Sequence, residues 1–246
     1  LPADASLSQA PASNFEEKTV CIKTLQSDIE ISNKGGRINS VFLKKYNDTL
    51  HFNDSQTPLL SILRVGTLSG IEYLPFEVST PEESGTVNAR CKINPEVEVA
   101  TSLSSTPFDY LYSYKVSIKN NGGKELFFPD GIELGSGSLP FQNNTTYPTL
   151  GFARYTVENK TEFQDYGKVN GRQSIDETFH WGGIQNTTFC SILSESSGLR
   201  KATWIHLKDE KIISASFSTD DFTLPADQEK ILTFNFYLGP KLYFHM

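Results

Sequence analysis

The sequence predicts an all-β fold: one large domain of two packed sheets, with only a few short helices at its periphery. Three observations carry this. Apolar and polar residues alternate with period two in segment after segment, the signature of half-buried antiparallel strands. Seventeen Phe and ten Tyr stand beside a single Met, a balance that suits pleated sheet better than helix. Most alternating segments end in Gly- and Asn-rich turns, and a dozen or so such strands need two sheets to bury them.

The first 15 residues, LPADASLSQAPASNF, have no apolar period and read as a flexible linker, leaving 16–241 as a single domain. Ile29 and Ile31 alternate up to a turn at Asn33-Lys34-Gly35-Gly36, and an apolar strand from Ile38 to Tyr46 follows. Gly35 or Gly36 is expected at a positive φ in that turn. The clearest strand is Tyr110 to Asn120: Tyr110, Tyr112, Tyr114, Val116 and Ile118 share one face, broken only by Leu111. It would run roughly 36 Å at about 3.3 Å per residue. Asn120-Asn121-Gly122-Gly123 supplies residues that tolerate positive φ, and Leu126-Phe127-Phe128 returns as the next strand. From Gly131 to Lys168, with Gly135-Ser136-Gly137-Ser138 and an Asn-Asn-Thr-Thr run, the pattern reads as long loops over one rim. Ala202 to Leu207 and Lys211 to Phe217 flank a charged turn at Lys208-Asp209-Glu210, a hairpin signature. Leu232, Phe234, Phe236 and Leu238 form the last alternating run.

Composition narrows the function. With 246 residues and 37% hydrophobic side chains, the chain can build a real core. Its net charge of -7 and scattered Lys and Arg argue against a nucleic-acid partner. No apolar run reaches the roughly 20 residues of a membrane span. No signal peptide opens the chain, so an extracytoplasmic protein would have had its targeting segment removed. Cys21, Cys91 and Cys190 make no CxxC pair and leave at least one thiol unpaired. An oxidising compartment would allow one disulfide; the preferred reading is three small buried side chains.

A search for chemistry returns little. His51, His180, His206 and His245 have no metal-like partner at short spacing, and no HExxH or GxSxG motif occurs. His206 shares a strand face with Trp204 and reads as a structural histidine. Gly135-Ser136-Gly137-Ser138 lacks the Lys of a phosphate loop and reads as a flexible turn. Six Asn-x-Ser/Thr sequons begin at Asn47, Asn53, Asn143, Asn144, Asn159 and Asn186; in so Asn- and Ser-rich a chain, chance matches are the preferred reading. Trp181 and Trp204 are read as core, with an exposed cleft position as the alternative for either. No catalytic residue, metal or cofactor is assigned.

Several stretches together resemble the periplasmic domain of YidC-type membrane protein insertases. Ile29 to Tyr46, with Gly35-Gly36 at its turn, is similar to the family's opening hairpin. Tyr112 to Gly122 is similar to its long central strand, and Trp181-Gly182-Gly183 running to Phe189 to its Trp-Gly segment, although Thr188 replaces the usual Tyr. Leu224-Pro225-Ala226 and the close at Gly239-Pro240-Lys241 complete the order, while Gly131 to Lys168 matches only loosely.

The resemblance implies a β-supersandwich like that of galactose mutarotase, tethered on the periplasmic side of a bacterial inner membrane. Residues 242–246 would begin the connection to the membrane part. Gly35, Gly36, Trp181, Gly182, Gly183, Gly239 and Pro240 would be structural positions. The family's insertase activity lies in a helical bundle that this sequence does not contain. The domain would instead be a non-catalytic accessory that helps membrane proteins insert and fold, contacting Sec translocon components and nascent membrane proteins. The competing expectation is a carbohydrate-binding or aldose-epimerase-like supersandwich, whose chemistry needs a general acid and base across a sugar ring. A secreted glycoprotein adhesin would rest on the sequons alone.

Overall fold

The computed structural model describes residues 15–52, 57–81, 85–140, 151–165, 171–207 and 212–241, without the side chains of Pro140, Asp165, His206 and Leu207. The expected linker (but for its last residue), the 208–210 turn and the 242–246 connection fall outside them.

In chain order the strands are β1 (Thr19–Lys23), β2 (Ser27–Ser32), β3 (Ile38–Leu43), β4 (Asp48–His51), β5 (Ile62–Val65), β6 (Leu68–Ser69), β7 (Glu77–Val78), β8 (Thr86–Lys92), β9 (Val97–Ser105) and β10 (Leu111–Asn120). There follow β11 (Leu126–Phe128), β12 (Ile132–Pro140), β13 (Gly151–Thr156), β14 (Thr161–Asp165), β15 (Gly171–Gln185), β16 (Phe189–Leu207), β17 (Ile212–Ser218), β18 (Phe222–Leu224) and β19 (Glu229–Pro240). β1 to β4 make one antiparallel sheet in sequence order. A 13-stranded sheet runs β6-β5-β12-β17-β16-β19-β10-β9-β8-β7, with β15, β13 and β14 branching from β16. β11 pairs only with β18. A single 3-10 turn, Ile71–Tyr73, is the one helical element among the described residues, and its Ile71 is buried.

The alternation read from the sequence builds the core. On β10, Tyr112, Tyr114, Val116 and Ile118 are buried, opposite Phe234 and Phe236 of β19. Each such side chain contributes about 1.5–3 kcal/mol by leaving water. The small sheet closes over this face. The Ser27 hydroxyl lies 2.6 Å from that of Tyr112, Tyr114 donates to the Leu60 carbonyl at 2.8 Å, and the Tyr46 ring meets Phe189 edge-on. Burial pushes the Tyr112 and Tyr114 phenols above their ordinary range.

Tyr110 stands just outside β10, buried, with φ +62°. Gly35 and Gly36 take positive φ, +68° and +61°, as the β2–β3 turn requires.

Two expectations need correction. Much of the stretch from Gly131 to Lys168 is strand, as β12, β13 and β14. Its small residues serve close approach: a Cβ on Gly135 would lie 2.1 Å from the Pro58 carbonyl oxygen, and the buried Ser136 hydroxyl sits 3.1 Å from that of Ser191. The GSGS run is therefore a bulged strand interior, paired with β17.

The turn after β10 does not use positive φ at Gly122 or Gly123. The buried Asn120 shapes it, donating from its amide to the carbonyls of Lys124, Leu224 and Pro225 at 2.7, 3.0 and 3.1 Å. Its Oδ1 accepts the Gly122 N–H at 2.9 Å. A side chain replaces the backbone trick, and it fastens β10 to the β11–β18 pair.

Candidate interaction site

The burial that fills one face of the large sheet leaves the other open. Strand β8 alternates buried Val87, Ala89 and Cys91 with exposed Asn88, Arg90 and Lys92. Residues paired across neighbouring strands share a face, so register alone maps the open side. One row reads Glu77, Arg90, Ala100, Ser117, Ile231 across β7, β8, β9, β10 and β19. The next holds Asn88, Ser102, Lys115 and Thr233. A third runs Thr86, Ser104, Ser113, Asn235, Ser194, Trp181, Tyr155, crossing seven strands from β8 to β13. At about 4.8 Å per strand it is roughly 29 Å long.

Except for Thr233, the first two rows line a groove of about 600 Å³. Its floor is low because Ala100, Ser102 and Ser117 are small, and Ile231 stands 60% exposed on one wall. Arg90 and Glu77 pair at 2.7 Å on the other wall, and Ser117 is bonded to Glu229. Lys115 projects from the floor into solvent.

Beyond the groove, the same face carries an aromatic pair: Tyr155 stacks on Trp181 with centroids 6.1 Å apart and planes 10° from parallel. His180 packs against Tyr155 at 5.6 Å. Trp181 is therefore half-buried and facing outward, not core as its apolar size suggested. Register shifts around Phe179 break the alternation of β15 and give the inside to Phe179 and Gly182. Trp204 is core, stacked on Phe152 at 4.5 Å.

The glycines of the Trp-Gly-Gly segment lie where the sheet is tightest. A Cβ on Gly182 would come within 2.4 Å of the Phe217 ring, and one on Gly183 within 2.5 Å of the Ser191 carbonyl oxygen. Gly239 abuts the Tyr110 side chain, and the Pro240 carbonyl accepts the Tyr237 hydroxyl at 2.7 Å. Gly35 lies against the backbone of Glu72. The glycines lie at close approaches dispersed through the fold, whereas Trp181 faces the open side.

The groove residues themselves escaped the sequence reading. Their signal was present in Ala100, Ser102 and Ser104, three small residues in succession on the polar side of one strand, where charged or longer side chains are the norm.

The remaining candidates do not converge. His51 is exposed on β4, His206 pairs with Ile213 in the β16–β17 ladder, and His245 lies outside the described residues. Among the described residues no group of three or more His, Cys, Asp or Glu is placed to hold a metal, and no helix is long and apolar enough to cross a membrane. All three cysteines are free; Cys91 and Cys190 are buried as expected, whereas Cys21 is exposed because it falls on the outward side of β1. Burial pushes the Cys91 thiol up to about 11 and the Cys190 thiol up to about 12. Of the sequons, Asn186 is buried and accepts the N–H groups of Thr188 and Phe189, so it is closed to a glycan. Asn47 and Asn159 occupy positive-φ turn positions, and Asn53, Asn143 and Asn144 lie outside the described residues.

Comparison with known proteins bears on both fold and family. The fold is similar to a galactose mutarotase-like protein from Lactobacillus casei, with TM-score 0.66 and 12% identity, covering 90% of this chain and 100% of that one. It is similar to a Synechocystis protein, with TM-score 0.68 and 10% identity over 92% and 97% of the two chains. A putative aldose 1-epimerase from Escherichia coli K12 gives TM-score 0.62 and 9% identity over 92% and 100%. At such identities these neighbours establish the architecture, a galactose mutarotase-like supersandwich, and no activity. No curated protein matches the sequence. The family model of the YidC periplasmic domain matches residues 19–246, nearly the whole sequence. The chain thus belongs to the YidC periplasmic domain family, as an extracytoplasmic, insertase-associated domain of a membrane protein.

Proposed function

We propose that the chain is a non-catalytic docking domain on the periplasmic side of a bacterial inner membrane. It assists the insertion and folding of membrane proteins by holding exposed polypeptide on the open sheet face. Sec translocon components and nascent membrane proteins are its partners. The observation that carries this is the groove over β8, β9, β10 and β19: long, low-floored, with one exposed Ile and hydrogen-bonding Ser and Asn beside it. An extended segment fits such a surface, its apolar side chains on Ile231 and its backbone over the hydroxyl rows. The one carboxylate among the described residues that line the groove, Glu77, is tied to Arg90 in solvent, a poor setting for proton transfer.

The test is a photoreactive phenylalanine at Ser102 or Ile231 of the full-length protein in cells synthesising a membrane protein. Crosslinks to the nascent chain from these positions, and none from Asp48 on β4 of the small sheet, are expected. Crosslinking from Asp48 alone would overturn the assignment of the face.

A carbohydrate-binding or epimerase-like role is the second reading, favoured by the Tyr155–Trp181 stack on the same face. Saturable change of tryptophan fluorescence with a hexose would support it, and hexose turnover by the purified chain would overturn the non-catalytic reading.

A further inference from the structure

We propose that one end of the sandwich rests on the surface of an anionic lipid bilayer, through Leu25 and Phe108. The two most exposed large apolar side chains of the described residues are Leu25 at 85% and Phe108 at 71%. They are far apart in sequence, yet topology brings both to the same end. The β1–β2 turn carrying Leu25 is tied to the β3–β4 turn, where the Lys44 N–H donates to the Gln26 carbonyl at 3.0 Å and Lys44 Nζ to the Thr24 carbonyl at 2.7 Å. Tyr46 of that turn packs on Phe189, after the β15–β16 turn. The Lys241 N–H donates to the Thr188 carbonyl at 2.7 Å, where β19 leaves the sheet. The β9–β10 loop carrying Phe108 joins the same assembly, the Leu238 N–H donating to the Tyr110 carbonyl at 3.0 Å.

Both side chains sit on braced tips. The Thr24 hydroxyl donates to the Ser27 carbonyl at 2.9 Å and accepts the Ser27 N–H at 3.0 Å, closing the loop around Leu25. The Thr106 hydroxyl donates to the Leu111 carbonyl at 2.8 Å and accepts the Phe108 N–H at 3.2 Å. The backbone therefore holds each apolar group out in water, where scattered exposed residues on loose loops would have been unremarkable.

What surrounds them selects a bilayer as the occupant. The half-buried Tyr46 and Tyr237 lie just behind the tips, and amphipathic rings favour the headgroup level of a membrane. Lys23, Lys44, Lys45 and Lys241 stand at this end against Asp28, Asp48 and Asp109, and Asp28 is already paired with Lys44 at 2.9 Å. In a chain of net charge -7, this end carries four lysines against three aspartates among the described residues, and lysines near an anionic surface add attraction. Two inserted side chains with modest electrostatic help give a weak, reversible contact, suited to a domain of a membrane protein. The inference rests on the family and on this end of the fold, not on the groove.

The experiment is flotation of the purified chain with protein-free vesicles of phosphatidylethanolamine and phosphatidylglycerol, at millimolar lipid and low salt. The wild type is expected to float. The double variant Leu25→Asp, Phe108→Asp should bind at least tenfold more weakly with an unchanged melting temperature, since neither side chain is buried. Phe127→Asp, which alters a 59% exposed Phe on β11 at the opposite end, should bind like wild type. Absence of wild-type binding, or equal loss in the Phe127 variant, would overturn the proposal. So would binding by the double variant at wild-type strength.

Discussion

Asn120 offers the sharpest test of how the large sheet is held to the β11–β18 pair. It is fully buried, and its two amide hydrogens serve three carbonyls while Oδ1 receives the Gly122 N–H. One hydrogen is shared, so the side chain is equivalent to about three hydrogen bonds at roughly 1 kcal/mol each. Asn120→Ala should therefore cost about 3 kcal/mol, lowering the melting temperature by about 6–12 °C for a chain of this size. Asn120→Asp puts a carboxylate oxygen where the amide faced three carbonyls. That charge is disfavoured in the fold, so the new carboxyl is raised above its unfolded value. The linkage sign follows: the folded form binds the extra proton, so stability falls as pH rises through the window between the two values. Asn120→Asp should be less stable than Asn120→Ala at pH 7 and close the gap as pH drops toward about 4. Urea unfolding of both variants between these limits decides it. A loss below about 1 kcal/mol for the alanine variant, or a pH-independent gap, would refute the role given to this side chain.

Gly35→Val should destabilise more than Gly36→Val, because a Cβ at Gly35 lies 2.6 Å from the Glu72 carbonyl oxygen, whereas at Gly36 the nearest atom is the yielding Phe76 ring at 3.1 Å; thermal melts of both variants check the order. Trp204→Ala should cost about 3–5 kcal/mol by opening a cavity beside Phe152, and Trp181→Ala markedly less, since its ring is only partly buried; equal losses in denaturant titration would contradict the outward placement of Trp181. Native thiol titration with a disulfide reagent should count one reactive cysteine, Cys21, and three after unfolding. Burial pushes the Glu72 carboxyl up, the Glu133 charge adding to this against a backbone hydrogen bond, and its Oε2 has no partner. Ionised Glu72 thus opposes folding at neutral pH, and stability returns as pH falls through its raised value. Glu72→Gln should raise the melting temperature at pH 7 and match wild type near pH 4; a lower melting temperature at pH 7 would contradict this.

The core was legible because burial imposes a period on the sequence. Tyr112, Tyr114, Val116 and Ile118, and likewise Phe234 and Phe236, could be assigned to one face from alternation alone. What misled was composition without geometry. Gly135 and Ser136 look like a loop, since small polar residues favour turns, yet here Pro58 and Ser191 approach so closely that nothing larger fits. Trp181 looks like core by size, and only the register shifts around Phe179, which leave no mark in a single sequence, turn it outward. The groove was invisible for a related reason. It is assembled from one to three positions on each of β7, β8, β9, β10 and β19, and their adjacency depends on pairing order rather than on spacing.

The same pairing order bears on what this mutarotase-like scaffold presents on its open face. A general acid or base works when partial desolvation brings its pKa toward the operating pH. Among the described residues the carboxyl that burial raises is that of Glu72, whose backbone lies against Gly35 and which is not among the residues that line the groove. On the open face, Glu77 is solvated and neutralised by Arg90, Lys115 stands out into solvent, and the other central positions are Ala, Ser, Thr and Asn. Such residues offer hydrogen bonds and room. The architecture thus supplies a long, shallow surface, on which the proposed role is to hold a segment rather than to react with it.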